Sequence, residues 1–407
     1  MTLPLFARSR RPGPPRVCFI VTDSLSMVLL GELPSHVMAT GAEVFVISSP
    51  GERLTNEAAR QGFTAVPVTM HRNVAPFHDL FSLITLIRVM SRMRPDLVDA
   101  GTPKAGLLGM LAARINRVPV CIYSLLGMRL ETEVGTMRRL LMITERMAGR
   151  LAREVLVVSP SLREQAIKLR LAPAAKLVVL GQGALRGVDL DRFAPTAEVL
   201  AEAAGHRAAL GIEPDDPVIG FVGRFSRSKG IAELLDAFEI VRGRHPATHL
   251  VLVGHLDDSE PITQRDQVRL VETPHVHHVD WTAETPGWFE VMDFVVLPTK
   301  REGFPSVPLE AAGLSKPCVA FRATGTVDAV VDGQTGFLVP QGDVHELANA
   351  LVHYLDDPEL RRRHGKAAHE RAISDFTSKV VQARHVEFLI DHLATATPGS
   401  PLVGNTP

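Results

Sequence analysis

Short apolar runs of four to seven residues, each followed by a longer stretch of helical spacing, recur along almost the whole chain. Residues 16–22, 43–48, 65–68, 97–100, 118–123, 154–158 and 176–180 read as strands. The segments between them read as helices, as in the apolar series Phe81, Leu83, Ile84, Leu86, Ile87 and Met90. A βαβα succession of this kind calls for a doubly wound parallel sheet with helices on its faces.

The pattern stops near Gly187 and starts again at Pro217. Strands are expected at 218–222, 250–253, 276–279, 294–297 and 318–321. Helices are expected at 231–242, 343–356, 358–374 and 377–393. The simplest arrangement is α/β, with two Rossmann-like doubly wound domains facing across a cleft. The amino-terminal domain is expected over 16–190 and the carboxyl-terminal one over 215–376, with the helix at 377–393 packing back on the first. The Ala-rich, polar stretch 191–214, with Pro195 and Pro214, reads as the linker. Residues 1–15 and 396–407, rich in Pro, Gly, Ser or Arg, read as loose tails.

A chain of 407 residues is long enough for two cores, and 45% hydrophobic with 22% charged residues is ordinary for a globular protein. The net charge of -1 gives no electrostatic case for a nucleic-acid partner. Cys18, Cys121 and Cys318 are far apart in or beside apolar runs, and read as buried thiols suited to a reducing compartment. No apolar run is long enough to span a bilayer, and Val17–Val21 is too short for a signal-peptide core. A cytoplasmic location is expected.

Two loops carry the chemistry. Glu302 and Glu310, seven residues between them, bracket a Gly-Phe-Pro turn after the strand 294–297, with Ser306 and Pro308 as start signals of the next helix. The carboxyl end of a strand is where open α/β sheets bind ligands, and a helix start offers backbone N–H groups to a phosphate. The two carboxylates cannot serve that anion, but they can accept hydrogen bonds from hydroxyls. A phosphate beside a polyol, as in a nucleotide-sugar, suits this loop. The second loop, Gly223-Arg-Phe-Ser-Arg-Ser-Lys229-Gly230, follows the first strand of the second half. It lacks the spacing of a P-loop. Arg224 can grip a diphosphate with two hydrogen bonds, and Lys229 adds a point charge. In a water-poor site both would stabilise a nucleoside diphosphate as it leaves.

These residues match a family. The chain resembles the retaining glycosyltransferases of family 4 (glycosyltransferase group 1), which have the GT-B fold. The resemblance rests on 223–230 and on Glu-Gly-Phe-Pro-Ser-Val-Pro-Leu-Glu at 302–310, with support from 323–340 and 187–193, and covers about 16–392. It implies that Arg224, Lys229 and Glu302 are the catalytic set and that Gly223, Gly254, Trp281, Gly303, Phe304, Pro305, Ser306, Val307 and Glu310 line the donor site. Arg224 and Lys229 would hold the diphosphate, and Glu302 with Gly303 and Phe304 the sugar. Ser306 and Val307 would face the phosphate, Glu310 the ribose, and Gly254 with Trp281 would lie near the base. The resemblance further implies hexosyl transfer from a UDP-sugar with retained configuration, with no metal and no other cofactor.

On the acceptor side the chain departs from the family. Thr22-Asp-Ser24 stands where many members have paired glycines, Gly101-Thr102-Pro-Lys104 where many have a His, and Arg186 where Asn is usual. Ser24, Thr102, Lys104 and Gly127 are the acceptor-side candidates. The segment around Lys104 is similar to that of bacterial polysaccharide and lipid-linked-saccharide members, so the partner expected is a hydroxyl acceptor, either lipid-linked or a small metabolite. A UDP-sugar epimerase of the same fold and a non-catalytic nucleotide-sugar binder are the alternatives, and the Glu302–Glu310 spacing with the Arg224/Lys229 pair favours transfer. The basic amphipathic segments 77–94 and 128–153 suit either packing on a sheet or peripheral contact with an anionic membrane. His275 and His277 share a strand face but lack further ligands nearby, so no metal site is expected there.

Overall fold

The computed structural model describes residues 13–71 and 75–395. Of the expected tails, residues 1–12 of 1–15 and all of 396–407 lie outside these residues. Two parallel sheets organise the chain. The first has seven strands: β1 (Arg16–Ile20), β2 (Glu43–Ser48), β3 (Thr64–Pro67), β4 (Leu97–Gly101), β5 (Val120–Leu125), β6 (Glu154–Val157) and β7 (Leu177–Val178). Their order is β3-β2-β1-β4-β5-β6-β7. The second has six: β8 (Val218–Val222), β9 (His249–Val253), β10 (Val276–Val279), β11 (Phe294–Leu297), β12 (Cys318–Phe321) and β13 (Gly336–Val339), in the order β10-β9-β8-β11-β12-β13.

The helices follow in chain order. They are α1 (Leu33–Met38), α2 (Glu52–Gln61), α3 (Pro76–Met93), α4 (Pro103–Ile115), α5 (Gly135–Leu151), α6 (Pro160–Lys168), α7 (Ala197–Leu210) and α8 (Ile231–Arg244). After these come α9 (Gln264–Glu272), α10 (Pro286–Val291), α11 (Val307–Gly313), α12 (Thr326–Ala329), α13 (Val344–Asp356), α14 (Pro358–Asp375) and α15 (Ser378–Thr395).

The described residues group into two compact units, one running up to Tyr123 with Leu151–Arg153 and the residues from Val386 on, the other Ser124–Arg150 with Glu154–His385. The strands of the first sheet end at Val178 and those of the second begin at Val218, whereas the compact units divide first after Tyr123. The second unit has apolar cores on both faces of its six-stranded sheet. One gathers Val218, Val251, Phe289, Val295, Leu309 and Ala312, the other Phe221, Phe238, Leu250, Phe294, Phe321 and Leu347. Strands such as Phe294–Leu297 are buried at every position, which is why they read as unbroken apolar runs.

Two elements differ from the sequence reading. The stretch expected as a linker holds α7, started by Thr196, whose side chain accepts from the Val199 N–H, and stopped by left-handed Gly211. Its Val199 and Ala203 are buried, and His206 stacks on Trp288 of α10 with ring centroids 3.8 Å apart. The strand β13 falls inside the 323–340 motif, where its four residues did not stand out as a separate run.

Candidate active site

The strand order of the second sheet reverses between β8 and β11, and both chemical loops leave the sheet at that reversal. Such a switch point opens a crevice at the strand ends without any special side chain. Backbone crowding then fixes the loops. Gly254 follows β9 and Gly223 follows β8, and a Cβ on Gly254 would sit 1.9 Å from the Gly223 carbonyl oxygen. A Cβ on Gly303 would sit 1.9 Å from the Leu126 carbonyl oxygen. Only glycine fits at these two positions.

Two of the three expected catalytic residues, Lys229 and Glu302, are brought into contact. Lys229 forms an ion pair with Glu302, so the two loops meet through opposite charges that are largely sheltered (21% and 16% exposed). Arg224, half exposed, pairs with the buried Asp257. Asp257 also accepts from the Ser259 N–H and hydroxyl at 3.0 and 2.6 Å through Oδ1, which holds the 257–259 turn and aims Oδ2 at the guanidinium. Asp257 thus both holds its turn and orients Arg224.

Around this pair lies a second ring of charges. Arg301 donates to Glu260 and to the Thr132 hydroxyl, both at 2.6 Å, and Lys300 pairs with Glu233 at 2.7 Å. Burial alone would raise the Glu260 carboxyl, but hydrogen bonds from Ser228 and Arg301 bring it below its ordinary range. Ser306 precedes the first turn of α11 but does not cap it with its side chain. Its hydroxyl bonds Glu310 instead. Burial pushes the Glu310 carboxyl up, against the pull of Arg186, Ser306 and Arg192. Phe304 packs on Phe376 with centroids 5.2 Å apart, Pro305 is buried, and Trp281 stands exposed after β10.

A carboxylate missed by the sequence reading reaches the same loop. The segment after β5 turns at Gly127 and brings Glu131 to Thr324, whose hydroxyl donates to Glu131 Oε1 at 2.7 Å. Thr324 in turn accepts the Glu302 N–H through its carbonyl at 3.0 Å. Glu131 is 193 residues from Thr324 in sequence, so no local spacing could have signalled it.

Relatives decide the family. A glycosyl transferases group 1 model matches residues 204–371, and a glycosyl transferase 4-like domain model matches 29–183. The capsular polysaccharide biosynthesis glycosyltransferase CapM of Staphylococcus aureus is 32% identical over 369 residues, covering 90% of this chain and 94% of CapM. This chain belongs to the group 1 glycosyltransferases of family 4.

An Escherichia coli UDP-Gal:alpha-D-GlcNAc-diphosphoundecaprenol alpha-1,3-galactosyltransferase is 26% identical to this glycosyltransferase, over 72% of the chain and 74% of its own length. The fold is GT-B. Among solved structures, Anabaena HepE in complex with UDP-glucose superposes with a TM-score of 0.76 at 21% identity, covering 92% and 99% of the two chains. Sucrose-phosphate synthase of Thermosynechococcus elongatus superposes with a TM-score of 0.77 at 19% identity, covering 94% and 100%.

The acceptor-side candidates of the glycosyltransferase are spread over both units. In the first, Thr102 starts α4 with φ 69° and shares a 2.7 Å hydrogen bond with the Thr22 hydroxyl. Ser24 follows Asp23, whose side chain caps the turn by accepting from the Ser26 N–H. Lys104 has its ammonium 2.6 Å from Asp79, and its side chain is only 13% exposed. Gly127 lies in the second unit, where a Cβ would come 3.4 Å from the Gly303 nitrogen.

His275 and His277 do share a side, both stacking on His249, and His249 Nδ1 lies 2.8 Å from His277 Nε2. Among the described residues no group of three or more His, Cys, Asp or Glu is arranged to hold a metal ion.

Proposed function

We propose that this glycosyltransferase moves a hexosyl group from a UDP-sugar, with retained configuration and without a metal, to a hydroxyl of a lipid-linked saccharide during polysaccharide assembly. The observation that carries the reading is the contact of Lys229 with Glu302 at the reversal between β8 and β11, with Arg224 on the same loop as Lys229. The two cations would stabilise a diphosphate as it gains charge on leaving, and the carboxylate paired with Lys229 suits the hydroxyls of the sugar. As the glycosidic C–O bond to the diphosphate breaks, the leaving phosphate oxygen takes the proton of the attacking hydroxyl on the same face. The new C–O bond then forms with retention. The names of CapM and of the galactosyl-diphosphoundecaprenol enzyme, together with the UDP-glucose complex of HepE, support this donor and acceptor class.

In this reading the residues up to about 190 bind the acceptor, Glu310 takes the ribose, and Gly254 and Trp281 lie by the base. Peripheral membrane contact belongs to the same proposal. On α5, Met137, Leu140, Ile143 and Met147 are exposed beside the exposed Arg138, Arg139 and Arg150. On α3, Leu86 and Met90 are buried while Phe77, Leu80 and Phe81 project into solvent. Among the described residues no helix is long and apolar enough to cross a membrane.

The test is release of UDP from a panel of UDP-sugars with and without a polyprenyl-diphosphate saccharide. Acceptor-dependent release with an α-linked product supports the proposal. A change in the sugar of the UDP-sugar with no acceptor present would make the protein an epimerase, and no turnover with any donor would leave a binder only. Flotation with vesicles containing anionic lipid checks the membrane element, which fails if all protein stays in the soluble fraction at low salt.

A further inference from the structure

Glu131 has one satisfied and one unsatisfied carboxylate oxygen, and is tied through Thr324 to the loop that carries Glu302. Its Oε1 is fixed by the Thr324 hydroxyl at 2.7 Å, while Oε2 is shielded from solvent and has no hydrogen-bond partner. A sheltered carboxylate oxygen without a donor is costly, so such an atom in a native fold calls for an explanation.

The nearby cation does not supply the donor. Arg301 acts on the Glu131 carboxyl only through its field, its Nε and Nη2 being engaged by Thr132 and Glu260. Burial pushes the Glu131 carboxyl above its ordinary range, which fits an acid left without a salt-bridge partner. A neutral donor fits better than a second cation here, and a sugar hydroxyl is such a donor.

The placement agrees. The Thr324 carbonyl holds the Glu302 N–H, and a Cβ on Gly325 would lie 2.6 Å from the Gly303 carbonyl oxygen. The residue anchoring Glu131 is therefore stitched to the two residues proposed to hold the sugar. Gly325 is itself fixed, its N–H donating to the Ser161 hydroxyl at 2.8 Å, and Ser161 is bound to Asp328. The carboxylate thus stands on a rigid support, as a specificity-determining group needs.

We propose that Glu131 is a further sugar-recognition residue of this site, its Oε2 accepting a hydrogen bond from a hydroxyl of the donor sugar. The inference rests on the nucleotide-sugar reading above. It makes Glu131 a determinant of which sugar is used, not of nucleotide binding.

The experiment is calorimetric titration of the full chain, as wild type, Glu131→Gln and Thr324→Val, with UDP, UDP-glucose, UDP-galactose and UDP-N-acetylglucosamine. The tightest-binding sugar nucleotide is then compared with UDP. In Glu131→Gln, UDP should bind within about twofold of wild type, while the sugar nucleotide weakens about tenfold. Thr324→Val, which frees the carboxylate to rotate, should show the same pattern with a smaller loss and serves if the first variant folds poorly. An unchanged sugar-nucleotide affinity, or equal losses for UDP and the sugar nucleotide, would overturn the proposal. A wild type that binds none of the four compounds would instead overturn the nucleotide-sugar reading, and the inference with it.

Discussion

Replacing Glu302 by Gln should tighten UDP while weakening transfer. In the donor-free protein the charge of Lys229 is already partly neutralised by Glu302, so a diphosphate at the ammonium competes with the carboxylate for that charge. Two unit charges in contact attract by about 4 kcal/mol at an effective dielectric near 20. Desolvation and lost side-chain freedom offset most of that, leaving about 1–2 kcal/mol for a pair this sheltered. Removing the negative charge returns that amount to the competing diphosphate, a gain of about fivefold to thirtyfold in UDP affinity. Lys229→Met should do the reverse, with UDP weakened at least tenfold or so. Titration calorimetry at fixed, low salt reads both, and the turnover assay should show Glu302→Gln slowed despite its tighter UDP. If Glu302→Gln weakens UDP as Lys229→Met does, the carboxylate orients the ammonium and does not compete for it, and the argument is wrong.

Three further outcomes follow from the geometry. Gly303→Ala sets a methyl against the Leu126 carbonyl oxygen, and should lower the unfolding free energy by about 1–3 kcal/mol and transfer by about a hundredfold; turnover near wild type would show that the loop tolerates displacement. Asp257→Asn leaves the turn intact but removes the charge that aims Arg224, so UDP affinity should fall about threefold to tenfold with little change in melting temperature. Burial and the neighbouring His249 and His275 hold His277 down to about 4 from the ordinary 6.5. The unfolded chain therefore binds more protons between those values, and stability falls as pH drops from about 6.5 to 4. For a half-buried ring the loss should be about 1–2 kcal/mol, and His277→Gln should flatten that part of the melting profile; an unaltered slope would refute the assignment.

Much of this was legible in the sequence because the fold writes itself in continuous apolar runs. Every first-sheet strand and five of the six second-sheet strands were visible as such runs, since residues such as Phe294–Leu297 are covered on both sides. The Glu302–Glu310 loop was legible for a related reason: glycine, proline and acid residues at a strand end have few structural uses. What was hidden depended on distance or on weak periodicity. Helix α7 buries only Val199 and Ala203, so its sequence looks like a polar connector, although Thr196 and Gly211 were readable start and stop signals. The Lys229–Glu302 pair joins residues assigned separate tasks, and Asp257 and Glu131 acquire theirs only when the chain returns to the same loops. The Lys104–Asp79 pair was hidden because nothing local to Lys104 announces Asp79, which reaches it from α3.

The three native thiols give a practical opening. Cys18, Cys121 and Cys318 are all buried, and burial pushes the Cys121 thiol up to about 11 and the other two further still. Almost no thiolate is present at neutral pH to react with an alkylating dye. One cysteine engineered at Val134, which is exposed just before α5, would then carry a single thiol-attached dye. Vesicle docking and substrate capture could be followed by emission from that single label, with the native residues left in place.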